Sequence, residues 1–85
     1  MTTTSKSPNW APLEARVGDR KELIAEFMWM YTDEVRQIEF YKHAVTRKYL
    51  LLRTDGRCVR ATGSEVVGVD FESELARVRE TEVGR

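Results

Sequence analysis

The residues of this 85-residue chain best equipped for chemistry lie in its middle third. They are His43, Cys58 and a set of rings and guanidinium groups, Tyr41, Arg47, Tyr49, Arg53 and Arg60. A thiol and an imidazole can pair as nucleophile and base, and a thiol opposite Arg53 would sit in a positive field that favours the thiolate. The rest of a catalytic centre is missing. No oxyanion donor set is evident, and Gly18, Gly56, Gly63, Gly68 and Gly84 are scattered at turns and helix ends rather than gathered in a phosphate loop. Asp33/Glu34 and Glu72/Glu74 read as turn and helix-start carboxylates. One His and one Cys fall short of the ligand set of a zinc site, so the sequence predicts no metal, no cofactor and no enzyme.

Binding chemistry is better supplied. Arginine and lysine around stackable rings are what single-stranded nucleic-acid binders place on open sheets, with charge for phosphates and π-faces for bases. Arg and Tyr are equally the residues enriched at protein interface hot spots. Charge distribution separates these readings better than the formal net charge of zero. Residues 36 to 62 hold seven basic side chains against Glu39 and Asp55, whereas residues 1 to 35 and 63 to 85 each carry more acid than base. A dedicated nucleic-acid domain would be basic overall. The acidic ends either neutralise the basic middle on folding or do so across a dimer. The first expectation is therefore a small non-catalytic protein-binding or regulatory protein that meets an acidic partner or a second copy of itself; a single-stranded RNA- or DNA-binding module is the alternative.

The element that must position these residues is Arg47 to Thr62, RKYLLLRTDGRCVRAT, in which two apolar runs flank Asp55-Gly56, a strong hairpin signal. A two-residue loop sets Arg53 opposite Cys58, Leu52 opposite Val59 and Leu50 opposite Ala61. Leu50, Leu52, Val59 and Ala61 then share a core face. Arg47, Tyr49, Leu51, Arg53, Cys58 and Arg60 share the other, joined by Tyr41 and His43 if Ile38 and Phe40 point to the core. The predicted binding residues are thus Tyr41, His43, Arg47, Tyr49, Leu51, Arg53 and Arg60. Leu51, a leucine among arginines, is either covered by the segment around Trp10 or is the apolar centre of a partner site.

The remaining chain frames that hairpin. Residues 1 to 8 are Thr/Ser/Lys-rich and predict a disordered arm; residues 9 to 85 form a single domain, small enough to bury only about 60–65 % of its unfolded surface. Trp10 caps one end of the core. Pro12 to Val17 suits a short helix closed by Gly18, and Asp19 with Glu22 has the form of a capping box for a second helical segment from Arg20. Phe27 to Tyr31 either extends the helical stripe through Phe27 and Met30 or, as its aromatic/Met alternation favours, forms a strand buried on both faces, with Met28, Trp29 and Met30 in the core. A strand over 37 to 42 precedes a turn near His43 to Val45. Val66 to Val69 adds a short edge strand, and Asp70 caps a final helix with Phe71, Leu75 and Val78 on one face. The fold class is α+β: a small antiparallel meander of three to four strands, short N-terminal helices and a C-terminal helix packed on one face. A lone cysteine fits a reducing cytoplasm, and no apolar run approaches a membrane span.

Overall fold

The computed structural model describes residues 8–81. Apart from Pro8, the arm expected at the N-terminus lies outside the described residues. The fold is α+β. Helix α1 (Ala11–Val17) leads through a 3₁₀ helix (Lys21–Glu26) into strands β1 (Phe27–Asp33), β2 (Ile38–His43), β3 (Tyr49–Arg53), β4 (Cys58–Thr62) and β5 (Glu65–Gly68), and helix α2 (Phe71–Arg79) closes the chain. The strands form one antiparallel sheet in the order β1-β2-β3-β4-β5, a meander of five strands where three to four were expected. The fifth member is the short edge strand anticipated at Val66 to Val69, observed over Glu65–Gly68.

Local chemistry explains most element ends. Pro12 stands in the first turn of α1, where its missing N–H costs nothing, and Gly18 at φ 59° ends that helix. Asp70 caps α2 by accepting the Ser73 N–H at 2.9 Å, with Glu72 and Glu74 in the first turn and Arg77 and Arg79 in the last, as the helix dipole favours. The capping box expected at Asp19 is not formed: the 3₁₀ helix starts after Arg20 with no side-chain cap.

Strand β1 is confirmed, but not as a strand buried on both faces. It is an edge strand, so Met28 and Met30 are exposed while Phe27 is buried. Its pairing with β2 carries a bulge: Trp29 lies opposite Tyr41 and Tyr31 opposite Phe40, with Met30 as the extra residue.

The decisive departure is at the hairpin. Leu51 faces Val59 and Leu52 faces Cys58, one residue out from the expected register. The Gly56 N–H donates to the Arg53 carbonyl at 2.8 Å and the Arg53 N–H to the Arg57 carbonyl at 2.7 Å, so the loop is Thr54-Asp55-Gly56, a three-residue turn with Gly56 at φ 98°. A one-residue slip moves every β4 side chain to the opposite face. Cys58 therefore joins the helix-covered core, and Val59 is buried instead in the smaller cluster on the other side of the sheet, reversing the expected assignment.

Both helices and the 3₁₀ helix cover one side of the sheet. Leu13, Val17 and Leu23 from the N-terminal elements and Phe71, Leu75 and Val78 from α2 pack on Phe27, Tyr41, Leu50, Leu52 and Cys58. Trp10 joins them as expected, tilted 31° against Tyr41 with centroids 5.4 Å apart. On the other side a smaller cluster of Ile38, Leu51 and Val59 is flanked by Phe40 and Val66. Leu52 is fully buried beneath the helices. Leu52→Ala should cost about 2–5 kcal/mol of stability, through lost burial and the cavity left behind; urea unfolding followed by tryptophan fluorescence reads it directly.

Candidate functional site

Strand alternation and the observed registers sort the predicted site residues onto different sides of the molecule. Tyr41 and His43 alternate with Phe40 and Lys42 and lie on the helix-covered side, both buried. Tyr49, Leu51 and Arg53 lie on the other face, beside Lys42, Phe40 and Ile38 respectively. Arg47 is exposed in the β2–β3 connection with φ 66°. Arg60 reaches α2, where its guanidinium meets Glu74. The single basic, Tyr-bearing face expected from the sequence is therefore divided. Taking Ile38 and Phe40 as core residues of the helix-covered side misplaced Tyr41 and His43, and the one-residue hairpin slip carries Arg60 away from Tyr49 and Arg53.

The two residues with catalytic potential are committed elsewhere. The Nδ1 atom of His43 accepts the Val45 and Thr46 N–H groups, each at 3.2 Å, which places the ring proton on Nε2, donated to Glu26 Oε1 at 3.0 Å. The imidazole thus builds the β2–β3 turn and has no nitrogen left for a thiol. Cys58 is 4 % exposed. Burial first, then the nearby Glu74 carboxylate, pushes its thiol up to about 12. The folded protein should react with Ellman's reagent at pH 8 at least tenfold more slowly than the urea-unfolded chain, because the thiolate is the nucleophile; stopped-flow absorbance at both conditions tests this.

Tyr41 and Glu39 show how the covered side holds the N-terminal segment. Glu39 is 2 % exposed and accepts from Asn9 Nδ2 at 3.0 Å, Trp29 Nε1 at 2.8 Å and Thr32 Oγ1 at 2.6 Å. The Tyr41 hydroxyl donates to the Asn9 carbonyl at 2.5 Å, and burial pushes its phenol upward. No buried side-chain nitrogen or oxygen among the described residues lacks a partner. This matches the rule that a buried polar group must be hydrogen-bonded.

Much of the basic charge is paired with acid inside the chain. Arg20 holds Glu72, and Arg79 holds Glu26. Glu74 is 2 % exposed and takes Arg60 and Arg77 at 2.6 Å each. Burial alone would raise the Glu74 carboxyl, yet the hydrogen bonds from Arg77 and Arg60 outweigh it and hold the group below the usual carboxylate range. Glu26 is held low chiefly by Arg79, with His43 adding to the effect. A lowered folded-state value means stability that is present above the ordinary carboxyl range and is lost as pH falls through the folded value. Glu74→Gln should destabilise the protein at pH 7 and flatten the loss of stability below pH 5, both read from urea unfolding across that range.

The face opposite the helices carries a line of aromatic rings. Tyr31 from β1 stacks on Phe40 from β2 with centroids 4.4 Å apart and planes 10° from parallel, and Phe40 meets Tyr49 from β3 edge-on at 6.3 Å. Lys42 Nζ lies 5.7 Å from the Tyr49 ring centroid. Tyr31 is 50 % exposed and Tyr49 38 %, so the rings present faces and edges to solvent rather than filling a core. Arg53 extends the line towards the β1–β2 turn, donating to the Arg36 carbonyl at 3.1 Å. Tyr31, Phe40 and Lys42 were not among the residues singled out in the sequence. The β1 bulge brings Tyr31 to this face, and no local pattern announces it.

Between β3 and β4 the pairing covers Leu51/Val59 and Leu52/Cys58, while β4 continues alongside β5 as far as Thr62/Glu65. A pocket of about 350 Å³ lies at this seam, lined by Phe40, Tyr49, Leu51 and Val59 from the open face and by Arg60, Glu74 and Arg77 from the helix side. Among the described residues no three His, Cys, Asp or Glu side chains converge as a metal site requires, and no described helix is long and apolar enough to cross a membrane. Comparison with protein-family models, with curated proteins and with solved structures finds no match for this chain.

Proposed function

We propose that this chain is a small non-catalytic binding module that docks a protein partner on the open face of its sheet. The observation that carries the reading is the Tyr31–Phe40–Tyr49 line, three rings from three neighbouring strands on the side that no helix covers. A contiguous aromatic patch of this kind marks interaction sites more often than isolated exposed residues do, and aromatic anchors next to arginine are the groups that dominate interface energies. Lys42 and Arg53 on the same face favour a partner with acidic groups. Occupying a partner's surface in this way would suit a regulatory role.

This reading moves the site from the residues first expected. Tyr49, Leu51 and Arg53 stay, Tyr41 and His43 leave because they hold the core and the β2–β3 turn, and Tyr31, Phe40 and Lys42 enter. Single-stranded nucleic acid is the second reading, favoured by the parallel stack of Tyr31 on Phe40 and the ammonium beside Tyr49, a stacking platform with charge. Against it stand the arginines consumed by Glu72, Glu74 and Glu26. A double variant, Tyr31→Ala with Tyr49→Ala, should leave the fold intact and release a partner that co-purifies from the native host, with affinity falling at least tenfold. Fluorescence polarisation with labelled single-stranded oligonucleotides checks the second reading: tight binding that weakens steeply with salt and is lost in the double variant would replace the protein partner with nucleic acid.

A further inference from the structure

The seam pocket joins two environments that elsewhere lie on opposite sides of the sheet. Its apolar lining comes from Phe40, Tyr49, Leu51 and Val59, two of which belong to the aromatic line. Its charged lining comes from Lys48, Arg60, Glu74 and Arg77. Three cations around one carboxylate leave a surplus of two positive charges. Glu74 is already saturated: Oε1 accepts from Arg60 at 2.6 Å and Arg77 Nε at 3.2 Å, and Oε2 accepts from the Arg77 terminal nitrogen at 2.6 Å. Arg60 gives Glu74 one terminal nitrogen, its side chain is 47 % exposed, and it meets no other acceptor among the described residues.

We infer that this pocket receives an Asp or Glu carboxylate, with a neighbouring aromatic or aliphatic side chain, from an extended acidic segment of a protein partner. The inference rests on the open-face reading and gives the partner its chemistry. A carboxylate approaching Arg60 would take up the guanidinium nitrogens that Glu74 leaves free, beside the Lys48 ammonium, which already donates to the Arg77 and Glu80 carbonyls. A planar guanidinium suits a planar anion. The adjacent apolar side chain would lie against the exposed Tyr49 ring, over a pocket floor formed by the buried Leu51 and Val59, continuous with the ring line. A volume of about 350 Å³ is at the small end for binding pockets, matching a side chain or two rather than a large cofactor.

Ala61 offers a test that leaves all ion pairs in place, since it is exposed and lines the pocket without contributing a charge. Selection of a phage-displayed library of random octapeptides on the full-length protein should enrich sequences with Asp or Glu next to an aromatic or aliphatic residue. Fluorescence polarisation with the enriched peptides should show at least tenfold weaker binding to Ala61→Trp, whose ring fills the pocket, and to versions with Asn or Gln in place of the acids. Arg60→Gln serves as the second variant, expected to weaken binding similarly, with circular dichroism confirming that both variants fold. Enrichment without acids, or undiminished binding to folded Ala61→Trp, overturns the inference. If Tyr31→Ala nonetheless loses those peptides, the open-face reading survives without the pocket; if Tyr31→Ala and Tyr49→Ala keep them, that reading fails as well. A deoxythymidine dodecamer that binds more tightly than any peptide and is displaced by Ala61→Trp overturns the choice of partner.

Discussion

Gly56 lets the chain reverse after three residues instead of two, and that single residue decides which side of the sheet each β4 side chain takes. With φ at 98° it occupies backbone space in which a residue bearing a Cβ is strained. The resulting register sets Leu52 against Cys58 and Leu51 against Val59. The placement of every β4 side chain follows. Cys58 enters the core under α2, Val59 joins Ile38 and Leu51 on the other side, and Arg60 comes within reach of Glu74.

The two faces use their polar groups differently. Beneath the helices, polar groups are tied down: Glu39 gathers Asn9, Trp29 and Thr32, His43 spans Glu26 and two turn amides, and Thr46 and Lys48 reach the last carbonyls of α2. Carboxylates without enough donors would be costly there, so each is fully engaged. The open face has no such ties. Its rings are held by one another, by the shallow Ile38, Leu51 and Val59 cluster beneath them and by Lys42. Rigid rings on a sheet lose little conformational entropy on contact, which is the physical advantage of the docking proposed for this face.

Where charge goes is the second consequence. The basic middle of the chain and its acidic ends meet on folding, through Arg60 with Glu74, Arg79 with Glu26 and Arg20 with Glu72. Exposed pairs of this kind contribute little individually. Glu74 is the exception, because its burial makes both guanidinium partners necessary. Pairing removes much of the positive potential that linear charge counting suggests, leaving a modest surplus around the seam and near Lys42 and Arg53.

Local chemistry made a large part of this protein legible from residues alone. Pro12 and Gly18 bounded α1, Asp70 and the Phe71, Leu75 and Val78 spacing marked α2, and Asp55-Gly56 located the hairpin, since caps and turns depend on the residues that form them. The α+β class followed from those pieces. Register did not, because a two-residue and a three-residue loop are both open to Asp-Gly, and the choice depends on which packing buries more apolar surface across the whole sheet. Nor did the bulge at Met30, which turns Tyr31 away from the side of Trp29 and onto Phe40. Tyr41 and Tyr49 look equivalent in the sequence, yet one is sealed under Trp10 and the other stands open, because strand alternation acts only once pairing is set. Side-chain type decided what the surfaces of this protein could be made of; tertiary pairing decided which residues share them.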